Sequence, residues 1–224
     1  MHTLLFLHGW GGNEHSFSNI TPILQYHFNC LSISMPMFQK DDLISPQTPW
    51  TLEDYAAYVE TFLDSHNVEK CHILAHSFGA RITALLVNRN PNRYEKLVLT
   101  GAAGIKPRKS LNTKLKIALY KTRKKLNLIK TEQGSPDYKK LTPVGKQTFN
   151  NIINRDLKPE ISNINHPILL IFGKHDTATP PKMGRQWKKL AKNSTLIIYP
   201  NSGHFTYIDE TQKFLANTLM FLKN

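Results

Sequence analysis

The chain has 224 residues, with 29 Lys and Arg against 16 Asp and Glu, a formal net charge of +13. A hydrophobic share of 40 % that includes 10 % aromatic residues excludes a disordered chain, and the length suits one domain with a core that needs no covalent staples. The charge raises nucleic acid, anionic membranes and acidic partners as candidates, to be judged by where the basic residues sit.

Short β-rich apolar runs alternate with longer helical patterns, the signature of a mostly parallel sheet covered by helices on both faces. Thr3 to Leu7 reads as the first strand and runs into the Gly-rich loop His8-Gly9-Trp10-Gly11-Gly12. Its apolar stretch is too short for a signal-peptide core and has no basic residues before it. No later stretch approaches the ~18 apolar residues of a membrane span, so the expected address is cytoplasmic. Cys30 to Ser34 is the second strand. Thr51 and Asp54 form a capping-box pattern ahead of a helix that carries Leu52, Tyr55, Ala56, Val59, Phe62 and Leu63 at helical spacing. Cys71 to Ala75 is the third strand, Phe78 to Arg89 a helix stopped by Asn90-Pro91, and Lys96 to Thr100 the fourth strand. Cys30 and Cys71 lie in strand-like runs with no second pair and no CxxC, which argues against a disulfide scaffold or a metal site.

From Ile105 to Glu160 the alternation stops. This stretch has fifteen basic and four acidic residues, a balance of +11, against +2 for the rest of the chain, so the basic character belongs to one segment. Leu111, Leu115, Ala118, Leu119 and Leu126 mark an apolar stripe between lysines and arginines, the pattern of a helical insertion between two sheet strands. The strands resume with Ile168 to Phe172 and Thr195 to Tyr199. Pro180-Pro181 opens a helix to about Ala191, and Asp209 to Leu222 forms the last one.

Ala75-His76-Ser77-Phe78-Gly79-Ala80 lies directly between a strand and a helix. A tight strand-to-helix turn there strains the serine and requires small flanking residues, while the helix amides point at a developing oxyanion. A serine nucleophile needs a base held by a third group. His204 follows the strand ending at Tyr199 through Pro200-Asn201-Ser202-Gly203, and Asp176 follows the strand ending at Phe172 through Gly173-Lys174-His175. The other position for a carboxylate, after the fourth strand, is filled by Gly101-Ala102-Ala103-Gly104. His76 is expected to point away from the chemistry of its neighbour. The oxyanion amides are expected from Phe78 and from the Gly-rich loop, most simply Trp10. That loop lacks the GxxxxGK[ST] lysine and the GxGxxG spacing of a nucleotide cradle.

The HGWGG loop, the AHSFGA elbow, the GKHDTATPP run and the NSGHF loop resemble the alpha/beta-hydrolase superfamily over nearly the whole chain. The resemblance implies an α/β fold of about six strands flanked by helices, with residues 1–104 and 161–224 as the core. Residues 105–160 would then be a helical cap over the active site. Carried over by position, Ser77 resembles the nucleophile, His204 the base, Asp176 its orienting acid, and Trp10 and Phe78 the oxyanion amides. Departures from the family pattern are Ala75 for the first elbow glycine, Ala80 after Gly79, and Ser34-Met35-Pro36-Met37-Phe38-Gln39 in place of the usual Asp-x-Pro-Gly-x-Gly loop. Thr3 to Leu7 corresponds to the third strand of larger members.

The expected activity is carboxylesterase-like: hydrolysis of an ester or thioester through an acyl-enzyme, with no metal or organic cofactor. Carbon–carbon bond hydrolysis, peptidase or acyltransferase chemistry would use the same triad, and a non-catalytic binding protein would use the same fold. The basic cap, with Lys106, Arg108, Lys109, Lys121, Arg123, Lys124 and Lys125, suits an acidic acyl carrier or another anionic substrate. Nucleic acid is not an expected partner, because the most basic stretch, residues 106–140, interleaves aromatics only at Tyr120 and Tyr138 and has no recognisable module.

Overall fold

A computed structural model describes residues 1–37, 46–106, 138 and 141–224. The basic residues Arg108, Lys109, Lys121, Arg123, Lys124 and Lys125, with Phe38, Gln39 and the apolar stripe of the insertion, lie outside them.

Six strands form one sheet: β1 (Thr3–Leu7), β2 (Asn29–Ile33), β3 (Cys71–His76), β4 (Tyr94–Thr100), β5 (Ile168–Gly173) and β6 (Ser194–Tyr199). Their order is β2-β1-β3-β4-β5-β6, and every neighbouring pair is parallel. Parallel pairing forces each connection to cross back over a face, so all the carboxyl ends share one edge. The loops after β1, β3, β5 and β6 therefore meet there.

Among the described residues the α-helices are α1 (Thr21–Leu24), α2 (Leu52–Ser65), α3 (Phe78–Arg89), α4 (Pro143–Asn154), α5 (Lys158–Ser162), α6 (Pro181–Leu190), α7 (Thr206–Asp209) and α8 (Thr211–Lys223). Because strand side chains alternate faces, the apolar runs build two cores. Leu5, Leu7, Ile73, Ala75, Leu97 and Leu99 pack against α2, α3 and Trp187 of α6. Leu4, Phe6, Leu74, Val98 and Ile171 pack on the other face against Phe17, Leu24, Tyr207, Phe214 and Leu222. Runs apolar at successive positions thus reflect burial on both faces.

Local signals explain the helix starts. The side chain of Thr51 accepts from the Asp54 amide, and the Asp54 carboxylate accepts from the Thr51 amide at 2.7 Å, a reciprocal capping box. The last helix, expected from Asp209, starts at Thr211 as α8; Asp209 ends the short α7, and Glu210 (φ −128°, ψ 55°) separates the two. Glu210 leaves helical geometry and spends its carboxylate on the loop before His204. In the insertion, the described residues form α4 and α5. Ile152, Leu157 and Ile161 are buried against the α3 side of the core, Arg81 donates to the carbonyls of Ile152 and Arg155, and the Leu157 amide donates to Gly104. Among the described residues no helix is long and apolar enough to cross a membrane.

Candidate functional site

Ser77 sits between β3 and α3 with φ 49° and ψ −102°, a left-handed conformation that costs a non-glycine residue free energy and persists only where the surroundings enforce it. They do so here: the Ser77 amide donates to Thr100, and its carbonyl accepts from Ala80 and Ala103. Gly79 is needed because a Cβ there would lie 2.3 Å from the Leu7 carbonyl oxygen, so only glycine lets α3 start this close to β1. Ala75 and Ala80 are both fully buried and occupy the family's small-residue positions at the turn.

His204 lies between β6 and α7. Its loop is tied down from the helices that follow: the Asn201 amide and the Ser202 hydroxyl donate to Glu210, and the Gly203 amide donates to Asp209 at 2.7 Å. Asp176, in the turn after β5, is buried, and its Oδ2 accepts from His204 Nδ1 at 2.7 Å. Its Oδ1 accepts from the amides of Ala178 and Thr179, both at 2.8 Å. Burial alone would raise the Asp176 pKa, but the hydrogen bonds from His204 and Thr179 outweigh it and hold the carboxyl below its usual value. The structure thus joins Asp176 and His204 directly.

Ser77 and His204 line one cavity of about 370 Å³, together with Gly9, Trp10, His76, Phe149, Phe205 and Tyr207 among others. Trp10, Phe149, Phe205 and Tyr207 give it an aromatic wall, and the glycines, Ser16 and the histidines a polar one. Trp10 lies in the wall, and Phe78 is the first residue of α3, its ring edge-on to Trp10 at 5.5 Å. The Gly-rich loop is fixed by His8, whose Nδ1 donates to the Gly9 carbonyl at 2.7 Å and whose Nε2 accepts from the Met35 amide at 2.9 Å.

Three residues matter more than their sequence context suggested. His76, expected to point away from the chemistry, instead lines the cavity and donates from Nε2 to the His204 carbonyl at 3.0 Å. Its ring lies 4.6 Å from that of His204. Strand alternation sends it to the face opposite the β3 core residue Ala75, but the His204 loop folds down over that face. Thr179 was not singled out. Its hydroxyl sits 2.7 Å from Asp176 Oδ2, 2.9 Å from the Gly101 carbonyl and 3.1 Å from His204 Nδ1, so it braces the acid; its position three residues after the aspartate was the available signal. Gly101, read only as lacking a carboxylate, has φ +52°, and a Cβ there would press on the His204 ring at 3.1 Å.

Burial, and after it the neighbouring His204, push the His76 pKa down from 6.5 to about 3. The folded chain therefore refuses a proton that the unfolded chain accepts. The stability this provides is intact above pH 6.5 and drains away as the pH falls from 6.5 toward 3. Urea midpoints measured across that window are expected to fall more steeply for the wild type than for His76→Gln; equal slopes would contradict this.

The family model described as alpha/beta hydrolase fold matches residues 2–129 and 130–211. The chain is 24 % identical to a pimeloyl-[acyl-carrier protein] methyl ester esterase of Pseudoalteromonas atlantica, over 96 % of this chain and 92 % of that protein. It is 25 % identical to a 2-hydroxy-6-oxononadienedioate/2-hydroxy-6-oxononatrienedioate hydrolase of Pseudomonas putida, over 99 % of this chain and 88 % of the relative. Among solved structures, the esterase EaEST from Exiguobacterium antarcticum has a TM-score of 0.79 over 100 % of this chain and 92 % of that one, at 18 % identity, a likeness of fold. With the family model matching nearly the whole length and the sheet order and strand-to-helix elbow in place, the chain belongs to the alpha/beta hydrolase fold family.

Proposed function

We propose that this hydrolase cleaves a carboxylic ester or thioester through a Ser77-His204-Asp176 triad. The observation that carries the reading is the 2.7 Å bond between Asp176 and His204 Nδ1, with His204 and the strained Ser77 bounding the same cavity. Nδ1–H given to Asp176 leaves Nε2 as the basic nitrogen. In the proposed reaction Nε2 takes the Ser77 proton as Oγ attacks the carbonyl carbon, then returns it to the leaving alcohol or thiol. Asp176 holds the imidazole and stabilises its cationic form. The amides of Trp10 and Phe78 are assigned to the oxyanion, which forms beside the amino end of α3. Water then attacks the acyl-enzyme with His204 again as base, releasing the acid and restoring Ser77.

Ester cleavage is supported over other acyl chemistry by the curated relatives named as methyl ester esterases, of which the Pseudoalteromonas protein is one. The substrate in their name is bound to an acyl carrier protein, and the +11 balance of residues 105–160, here read as a cap, would attract such an acidic carrier. The Pseudomonas putida relative supports a second reading, hydrolysis of a carbon–carbon bond in an oxo-dienoate. A panel of p-nitrophenyl esters and acyl thioesters of increasing chain length, run beside an oxo-dienoate, separates the two. Esters or thioesters are expected to turn over at least a hundredfold faster in kcat/KM; faster cleavage of the dienoate would overturn the ester reading. With a carrier-bound ester, kcat/KM is expected to fall steeply with added salt while a neutral p-nitrophenyl ester responds little. A flat response for both would remove the carrier.

A further inference from the structure

At the opposite edge of the sheet, where the strands begin, three side chains that are remote in sequence converge. His2 precedes β1, His72 is the second residue of β3, and Glu95 is the second residue of β4. Glu95 owes its position to an irregularity in pairing. Cys71 is opposite Tyr94 and Ile73 is opposite Leu97, so His72 alone faces two residues, Glu95 and Lys96. A bulge of this kind re-aims a side chain that regular alternation would send to the other face. Nδ1 of His2 and Nδ1 of His72 lie 3.1 and 3.4 Å from the same oxygen, Oε2 of Glu95, and all three donor atoms fall within 4.8 Å of one another.

We propose that His2, His72 and Glu95 form a binding site for a borderline divalent transition-metal ion, with Zn²⁺ as the best-matched occupant. Two imidazoles and a carboxylate are a ligand set that zinc favours, and three protein ligands leave its fourth position to water. Bonds of roughly 2.0–2.2 Å to such ligands in a tetrahedron place donor atoms about 3.4 Å apart, the spacing the two His–Glu pairs already have. The His2 ring is largely exposed and stacks on the His72 ring with centroids 5.2 Å apart, while its backbone is anchored by the Asn29 amide donating to the His2 carbonyl at 2.9 Å.

His72 supplies the second, independent observation. Its side chain is 5 % exposed, and its Nδ1 is buried and makes no hydrogen bond, although it faces the Glu95 carboxylate. A buried polar atom left unpaired costs free energy unless something fills the gap, and a cation between Nδ1 and Oε2 would do so. The charges around it are compatible. Lys96 turns its ammonium away, to the carbonyls of Phe221 and Leu222 at the end of α8.

The site is not the reaction centre. Ser77 lies five residue steps beyond His72, along and just past β3, about 16 Å at ~3.3 Å per residue. A metal there would clamp β1, β3 and β4 at their starts. It departs from the expectation of no metal site, which rested on cysteine spacing; sheet topology, not sequence spacing, brings positions 2, 72 and 95 together.

The test is titration of the metal-stripped, untagged protein with ZnCl₂ by calorimetry, and with CoCl₂ by visible absorption. The expected result is one Zn²⁺ per chain and the intense cobalt bands of a four-coordinate site. Affinity should weaken at least tenfold in both His2→Ala and Glu95→Gln, and remain unchanged in His66→Ala, an exposed histidine elsewhere. Neither variant alters a fully buried residue, so the test does not depend on His72→Ala folding. No binding, or binding that survives both substitutions, would overturn the proposal.

Discussion

Ser77→Ala is expected to lower kcat/KM for the best ester by about ten-thousandfold or more while the thermal unfolding midpoint stays near that of the wild type. Ser77 is held by backbone bonds from its amide to Thr100 and from Ala80 and Ala103 to its carbonyl, none of which uses the hydroxyl. Alanine can occupy the same strained φ of 49° with the same small Cβ, so the turn survives and only the nucleophile is lost. Members of a triad act as a unit, so the doubly substituted Ser77→Ala, His204→Ala protein should be no less active than the worse single variant. Additive losses, or a Ser77→Ala enzyme within tenfold of the wild type, would mean that the acyl-enzyme route is wrong. Steady-state kinetics with a melting curve on each variant decide it.

Gly173→Ala is expected to damage stability and activity together, although the residue touches no proposed reacting atom. Gly173 ends β5, and a Cβ there would lie 2.0 Å from the Gly203 carbonyl oxygen and 2.4 Å from that of Ser202. Both are backbone atoms, in a loop pinned by Glu210 and Asp209 and by the His175 amide donating to Ser202. Nothing flexible can yield, so β5 or the His204 loop must move. Overpacking of this kind costs about 1–3 kcal/mol, a fall of roughly 2–12 °C in Tm for a chain of this size. A displacement of about 1 Å in His204 would also cost about a hundredfold in kcat/KM. Gly203→Ala is the matched control. Its Cβ would meet only the Asp209 carboxylate at an ordinary 3.7 Å, and it should leave both quantities nearly unchanged. Equal behaviour of the two variants, measured by calorimetry and kinetics, would remove the steric argument.

The inner strands β1, β3, β4 and β5 were legible because burial on both faces makes them continuous apolar runs, whereas the edge strands β2 and β6 are partly exposed; observed ends fall within two residues of the expected ones. Helices α2, α3 and α6 were legible from caps, prolines and periodicity. What escaped is either shorter than a periodic window or made by contacts between distant segments. The one-turn helix Thr21–Leu24 and the 3₁₀ turn Glu14–Phe17 belong to the first kind. Glu210 breaks the last helix because its carboxylate serves Asn201 and Ser202, a bond no local pattern announces. His76 against the His204 carbonyl, Thr179 between Asp176 and Gly101, and Glu95 beside His72 are of the second kind. Ser77, Asp176 and His204 could be named from sequence because each follows a strand end, and a parallel sheet gathers strand ends on one edge.

The central claim is that Ser77 is a nucleophile activated by His204 and Asp176, and its most direct measurement is covalent labelling with a fluorophosphonate ester followed by peptide mass spectrometry. One adduct per chain on the Ser77 hydroxyl is predicted, with labelling slowed at least a hundredfold in His204→Ala and in Asp176→Asn. An adduct on another residue, or labelling of Ser77 at the wild-type rate in the folded His204 and Asp176 variants, would contradict the account.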